Sequence, residues 1–136
     1  MTAKEYISRP LEMNRQINDK ISRLEKLRER LCSVGMTYGD EKIPGQKNVH
    51  KNEDLMIEIV DLEQEITKMI DSLVDVKAEI IAAIAQLPDG YEMMTLKLRY
   101  IEFRSWRSIS EIMRVPIRTV FMYHSRALAD LSVMII

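Results

Sequence analysis

The stretch YEMMTLKLRYIEFRSWRSISEIMRVPIRTVFMYHSRALADL, residues 91–131, resolves into three successive apolar faces at helical spacing. Met94, Leu98 and Ile101 form the first, Trp106, Ile109, Ile112 and Met113 the second, and Val120, Tyr123, Ala127, Leu128 and Leu131 the third. Each predicts a short amphipathic helix, the three faces sharing one small core. Ser105 is placed to cap the second helix by accepting from its free amides. Val115-Pro116 interrupts the pattern where a turn is needed, and Pro116 suits the cap or first turn of the third helix, where a missing N–H costs little. The pattern is that of a helix-turn-helix.

These residues also carry a resemblance. Leu98-Arg99-Tyr100, Ser105-Trp106, the Ile109 to Ile112 segment, Arg118-Thr119-Val120, His124 and Arg126-Ala127-Leu128 resemble region 4 of sigma-70-type factors. Within that superfamily the chain is similar to a group of small phage and prophage proteins of Gram-positive bacteria related to the ArpU-like late-transcription regulators. The likeness covers about the last third of the chain, and two long helices split by a variable loop ahead of it also fit the group. The resemblance implies DNA binding in transcription control, with a recognition helix over about residues 117–131. On the family pattern its outward positions are Ile117, Arg118, Thr119, Phe121, Met122, Ser125 and Arg126. Arg104, Arg107 and Arg114 then fall where phosphate contacts position a duplex without specifying it. Ile117, Phe121 and Met122 are apolar, a chemistry that suits thymine methyls and a protein partner alike. His124 is expected in or beside the core, and with no nucleophile or carboxylate constellation around it no catalytic role is expected.

With 136 residues, 46% apolar and 30% charged, the chain describes one folded domain, or one small domain with an extension. Aromatic residues at 6% and only four glycines favour helices over strands and turns. No 18-residue apolar run is present and MTAKEYISRP lacks the apolar segment of a signal peptide, so a cytoplasmic protein without membrane contact is expected. The single Cys32 has no Cys or His at metal-ligand spacing and reads as a small apolar residue at a helix end. Neither a metal nor another cofactor is expected.

The net charge of −1 hides a division. Residues 1–52 carry 11 basic and 7 acidic side chains, residues 53–90 carry 2 and 10, and residues 91–136 carry 7 and 4. A basic first segment and an acidic second suit each other, which leaves the basic third to meet a polyanion.

From Lys4 to Val34, Ile17, Ile21, Leu24, Leu27, Leu31 and Val34 step by three or four, so one long amphipathic helix is predicted. Pro10 marks its weak point, and the residues before it are expected as a separate or frayed turn. Arg15, Arg23, Lys26, Arg28 and Arg30 crowd the polar side as partners for an acidic helix. Residues 35–52, with Gly35, Gly39, Pro44 and Gly45, read as a flexible loop in which His50 is a surface residue. The loop has no phosphate-binding signature.

Leu55, Ile59, Leu62, Ile66, Met69, Leu73, Val76, Ile80, Ala83 and Leu87 then alternate steps of four and three, a heptad seam over more than four repeats. Ile57, Ile70, Val74, Ile81 and Ile84 widen the stripe beyond one neighbour. A hairpin with the first helix plus self-association accounts for both, with Leu55, Ile59, Leu62, Ile66, Met69, Leu73, Val76 and Ile80 as candidate oligomerisation residues. The carboxylates along this helix are a solvated face or ion-pair partners, because a two-metal site would add inward Glu-x-x-His pairs and no histidine is present. Pro88-Asp89-Gly90 ends the helix and sets the boundary between an arm over residues 1–88 and a helix-turn-helix domain over residues 91–136.

These readings converge on an all-α chain, a long antiparallel coiled-coil helical hairpin followed by a three-helix domain. The expected function is a phage or prophage transcription regulator that binds double-stranded DNA as a homodimer. The alternative is an interaction module that docks on RNA polymerase or another protein without reading DNA; an enzyme is not expected.

Overall fold

A computed structural model describes the backbone of residues 1–38 and 45–135, and the side chains of residues 1–33 and 52–134. All regular elements among them are helical: α1 (Ala3–Ile7), α2 (Arg9–Tyr38), α3 (Gly45–Ile84), α4 (Tyr91–Leu96), α5 (Trp106–Met113) and α6 (Ile117–Ile135). A π-helical turn, Lys97–Ile101, prolongs α4. No helix among the described residues is long and apolar enough to cross a membrane. The expected loop over residues 35–52 is helical through Tyr38 and again from Gly45, because both long helices propagate into it. Its middle, 39–44, and the side chain of His50 lie outside the described residues.

Packing divides the chain into two compact units, one made of Met1–Asn14 with Ser72–Ile136 and the other of Arg15–Asp71. In the second unit the apolar positions of α2 and α3 are buried at Ile17, Leu24, Leu27, Leu55, Ile59, Leu62 and Ile66. Lys20 pairs with Glu65 at 2.8 Å, Arg23 with Glu58 at 3.2 Å and Arg28 with Glu63 at 3.1 Å, so the basic and acidic segments do meet. Exposed pairs of this kind contribute about 0–1 kcal/mol each, and the buried apolar stripes carry most of the stability. Leu55, Ile59, Leu62 and Ile66 here, and Leu73 and Ile80 in the first unit, are already covered, with Met69 and Val76 half-buried. The large apolar side chains that stay exposed in this unit are Met56, Ile57, Val60 and Ile70.

The first unit begins with a capping box: Thr2 Oγ1 accepts from the Glu5 amide while the Glu5 carboxylate accepts from the Thr2 amide. That box sets α1 as a separate turn, and Pro10 sits in the first turn of α2, where its ring breaks no hydrogen bond. The segment is packed, not frayed. Ile7 is fully buried with Ile80, Ile84, Leu87, Leu96, Tyr100, Ala127 and Leu131, and Arg9 reaches Glu79 at 2.6 Å. A second cluster holds Leu98, Ile109, Met113 and Val120, bordered by Trp106, Val115 and Tyr123.

Two sequence faces are therefore rotated. Met94 is 45% exposed while Leu96 and Tyr100 are buried, because α4 serves two clusters and its π turn, closed by Glu102 N–H to Lys97 O at 3.0 Å, shifts the register by a residue. Ile112, expected in the core, is 47% exposed; Ile109 and Met113, four apart, define the buried line of α5 and Ile112 lies on its shoulder.

Ile7 tests the importance of the N-terminal turn. Ile7→Ala should cost about 2–4 kcal/mol of unfolding free energy, the range for truncating a fully buried isoleucine. Denaturant unfolding followed by circular dichroism reads it, and a loss below about 0.5 kcal/mol would show a frayed N-terminus.

Candidate nucleic-acid interface

The polypeptide between α4 and α6 is shaped by local hydrogen bonds. Ser105 caps α5, its Oγ accepting from the Ser108 amide at 3.1 Å as the sequence predicts. At the other end Arg114 takes a left-handed conformation, φ 58° and ψ 43°, the position where helices favour glycine. The Ser110 hydroxyl donates to the Val115 carbonyl and the Val115 amide returns to Ser110 O at 3.2 Å, which staples this turn. Pro116 precedes α6, and its carbonyl accepts from Thr119 and Val120 at 2.9 and 3.1 Å.

On α6, Val120, Ala127 and Leu131 face the core, and the opposite side is open. Arg118, Met122 and Ser125, at intervals of four and three, form its outermost row, with Ile117 and Phe121 on one shoulder and Arg126 on the other. All six are exposed, as are Arg104, Arg107 and Arg114; Thr119 is half-buried beside Val120. Arg107 stands 3.8 Å from Glu111, and Arg104 has Glu102 at 3.7 Å.

Beneath that row lies an aromatic support that helical periodicity does not reveal. Phe121 meets Trp106 edge-on, centroids 5.2 Å apart, and the Arg99 guanidinium lies 4.6 Å from the Trp106 ring centre. Trp106 also abuts His124 at 4.8 Å. Arg99 and Trp106 belong to different helices, so no spacing rule pairs them. The Arg99 guanidinium also donates to Arg104 O at 3.0 Å, which ties the turn before α5 to α4. Phe103 in that turn is left-handed as well, φ 59°, with the Lys77 ammonium 4.5 Å from its ring centre.

His124 is half-buried, its Nε2 2.7 Å from the Tyr100 hydroxyl. Burial, then the positive charges of Lys4 and Arg99, pull its pKa from 6.5 down to about 4. Burial raises the Tyr100 pKa against the opposing pull of Arg99 and a hydrogen bond with Ser8. The tyrosine therefore keeps its proton and shares one hydrogen bond with a neutral imidazole. This matches the expected position of His124 at the core.

No family model, curated protein or solved structure matches this chain.

His124 gives the fold a defined acid sensitivity. Its folded pKa of about 4 lies below the value near 6.5 of an unfolded chain, so between them the unfolded state binds more protons. This contribution to stability is complete above pH 6.5 and is lost as pH falls towards 4. His124→Gln should flatten the melting temperature over that window, as scanning calorimetry at stepped pH will show; an unchanged pH profile would mean that His124 is not held neutral.

Proposed function

We propose that this chain is a DNA-binding transcription regulator of the phage or prophage type. Its α2 and α3 form an antiparallel coiled-coil hairpin used for dimerisation, and α4, α5 and α6 form a sigma-region-4-like helix-turn-helix. In this reading α6 is the recognition helix. The observation that carries it is the open side of α6, whose Arg118, Met122 and Ser125 row has Arg126 on its shoulder, with exposed Arg114 just before the helix and exposed Arg107 on α5. A helix enters the major groove only if a whole side is free of its own fold, and arginines beside it neutralise phosphates. Residues 91–136 carry 7 basic against 4 acidic side chains, a local surplus that suits a polyanion. Two such units related by a dimer axis engage two half-sites and turn weak contacts into avidity.

A second reading is favoured by the apolar side chains on the same surface: Ile112, Ile117, Phe121 and Met122 are 40–47% exposed. In it the surface docks on RNA polymerase or another protein.

Replacing Arg118 and Arg126 together by Ala separates the two. Removing one phosphate-neutralising side chain lowers the magnitude of the salt slope of log K by about 0.9, so the double variant should bind duplex DNA more weakly and with a flatter salt dependence while keeping its helicity. Phe121→Ala should trim DNA binding slightly, whereas in the docking reading it removes a hot spot of about 2 kcal/mol. Parent-like DNA binding by the arginine variant, with partner capture abolished by Phe121→Ala, would replace the first reading by the second.

The dimer has its own test. Ile57 and Val60 are 59% and 48% exposed, so Asp at both leaves the hairpin folded and places charge only in a contact with another copy. Light scattering should then report a monomer; a dimer that persists would put the association elsewhere.

A further inference from the structure

Resting on the DNA-binding reading, we propose that α6 selects its duplex through the 5-methyl groups of thymine, so that T·A pairs occupy the positions facing Ile117, Phe121 and Met122. Direct readout follows side-chain chemistry: Arg and Lys pair with guanine, Asn and Gln with adenine, Asp and Glu with cytosine, and apolar groups meet the thymine methyl. Between Ile117 and Arg126 the sequence IRTVFMYHSR holds no Lys, Asn, Gln, Asp or Glu. Beside the exposed Arg118 and Ser125, this part of the helix offers three apolar side chains, Ile117, Phe121 and Met122, 41%, 43% and 40% exposed. The thymine methyl is the one apolar group that base edges present in the major groove. Against a G·C pair these side chains would strip water from polar base edges and return no hydrogen bond.

The surface is also prepared for such a contact. Phe121 is held edge-on to Trp106 at 5.2 Å, and Trp106 carries Arg99 on its ring at 4.6 Å, so the phenyl group loses little freedom on binding. Arg114 and Arg118, which form no ion pair among the described residues, flank the apolar group at its N-terminal end and favour a polyanion over a neutral apolar partner.

The experiment uses the full-length chain and randomised duplexes captured repeatedly at low salt. The retained sequences should concentrate thymines in a short block. Resynthesis with deoxyuridine in place of thymidine, one position at a time, keeps every hydrogen bond and phosphate and removes only the methyl. Affinity should fall about fourfold at each contacted position, the effect of exposing one methyl-sized group, with the salt slope unchanged. Met122→Ala and Ile117→Ala, at exposed positions checked by circular dichroism, should abolish the difference between thymine and uracil at one position each. Equal affinity for thymine and uracil duplexes would overturn methyl selection while leaving DNA binding intact. Failure to capture any duplex at low salt would overturn the DNA-binding reading itself, and with it this proposal.

Discussion

The buried side of α6 is longer than α4 and α5 alone cover. Val120 near its start meets Leu98, Ile109 and Met113, but Ala127 and Leu131 continue the apolar line for two further turns. That remainder is closed by Leu96 and Tyr100 together with Ile7 of α1, Ile80 and Ile84 at the end of α3, and Leu87 just beyond it. Residues 91–136 number only 46, close to the size of about 40 below which a chain rarely buries enough surface to fold alone. Each isoleucine removed from water contributes roughly 1.5–3 kcal/mol. The chain's N-terminus and the end of its longest helix thus belong energetically to the segment that carries the candidate interface, and Pro88-Asp89-Gly90 is a turn inside that unit.

This arrangement explains what is legible in the sequence. Local devices are readable there: the Ser105 cap, the break at Val115-Pro116, and the seam from Leu55 to Leu87, every member of which is buried or half-buried. Periodicity reports that a face is apolar, because side chains three and four apart share one side of a helix. It does not name the partner. Hence the seam suits a hairpin partner and a second copy alike, and only the structure shows that Leu55, Ile59, Leu62 and Ile66 are covered within the chain. In α4 a single 3.6-residue period does not describe a helix that serves two clusters across a π turn, so it places Met94 inside and passes over Leu96 and Tyr100. The outward positions on α6 are recoverable because they follow from its buried line, but the Arg99, Trp106 and Phe121 stack beneath them joins three elements and has no period to detect.

Charge is distributed with the same economy. The acidic residues of α3 take up arginines and lysines of α2, through Glu58, Glu63 and Glu65, and Arg9 through Glu79. These contacts are too exposed to contribute much stability, yet they satisfy the basic first segment internally. The arginines around α6 receive much less of this compensation: Arg107 has one distant carboxylate at 3.8 Å, and the first turn of α6 contains no acidic residue.

That absence matters because of where the charge sits. The N-terminus of a helix carries a partial positive charge, so cations there are unfavourable by about 0.3–1 kcal/mol each, and acidic residues normally occupy the first turn. Here Arg114 precedes α6 and Arg118 lies in its first turn. Arg114 adds a second cost, since its left-handed backbone would be free of strain with glycine and costs an arginine about 1 kcal/mol. Ser110, bonded to Val115 through both its hydroxyl and its carbonyl, holds the turn in place against that cost. Stability alone would place glycine at 114 and a carboxylate in the first turn of α6. Like charge gathered at one helix end is offset when an anion binds there, so the charge arrangement least favourable to the free fold is the one that supports the reading of this surface as a phosphate-facing one.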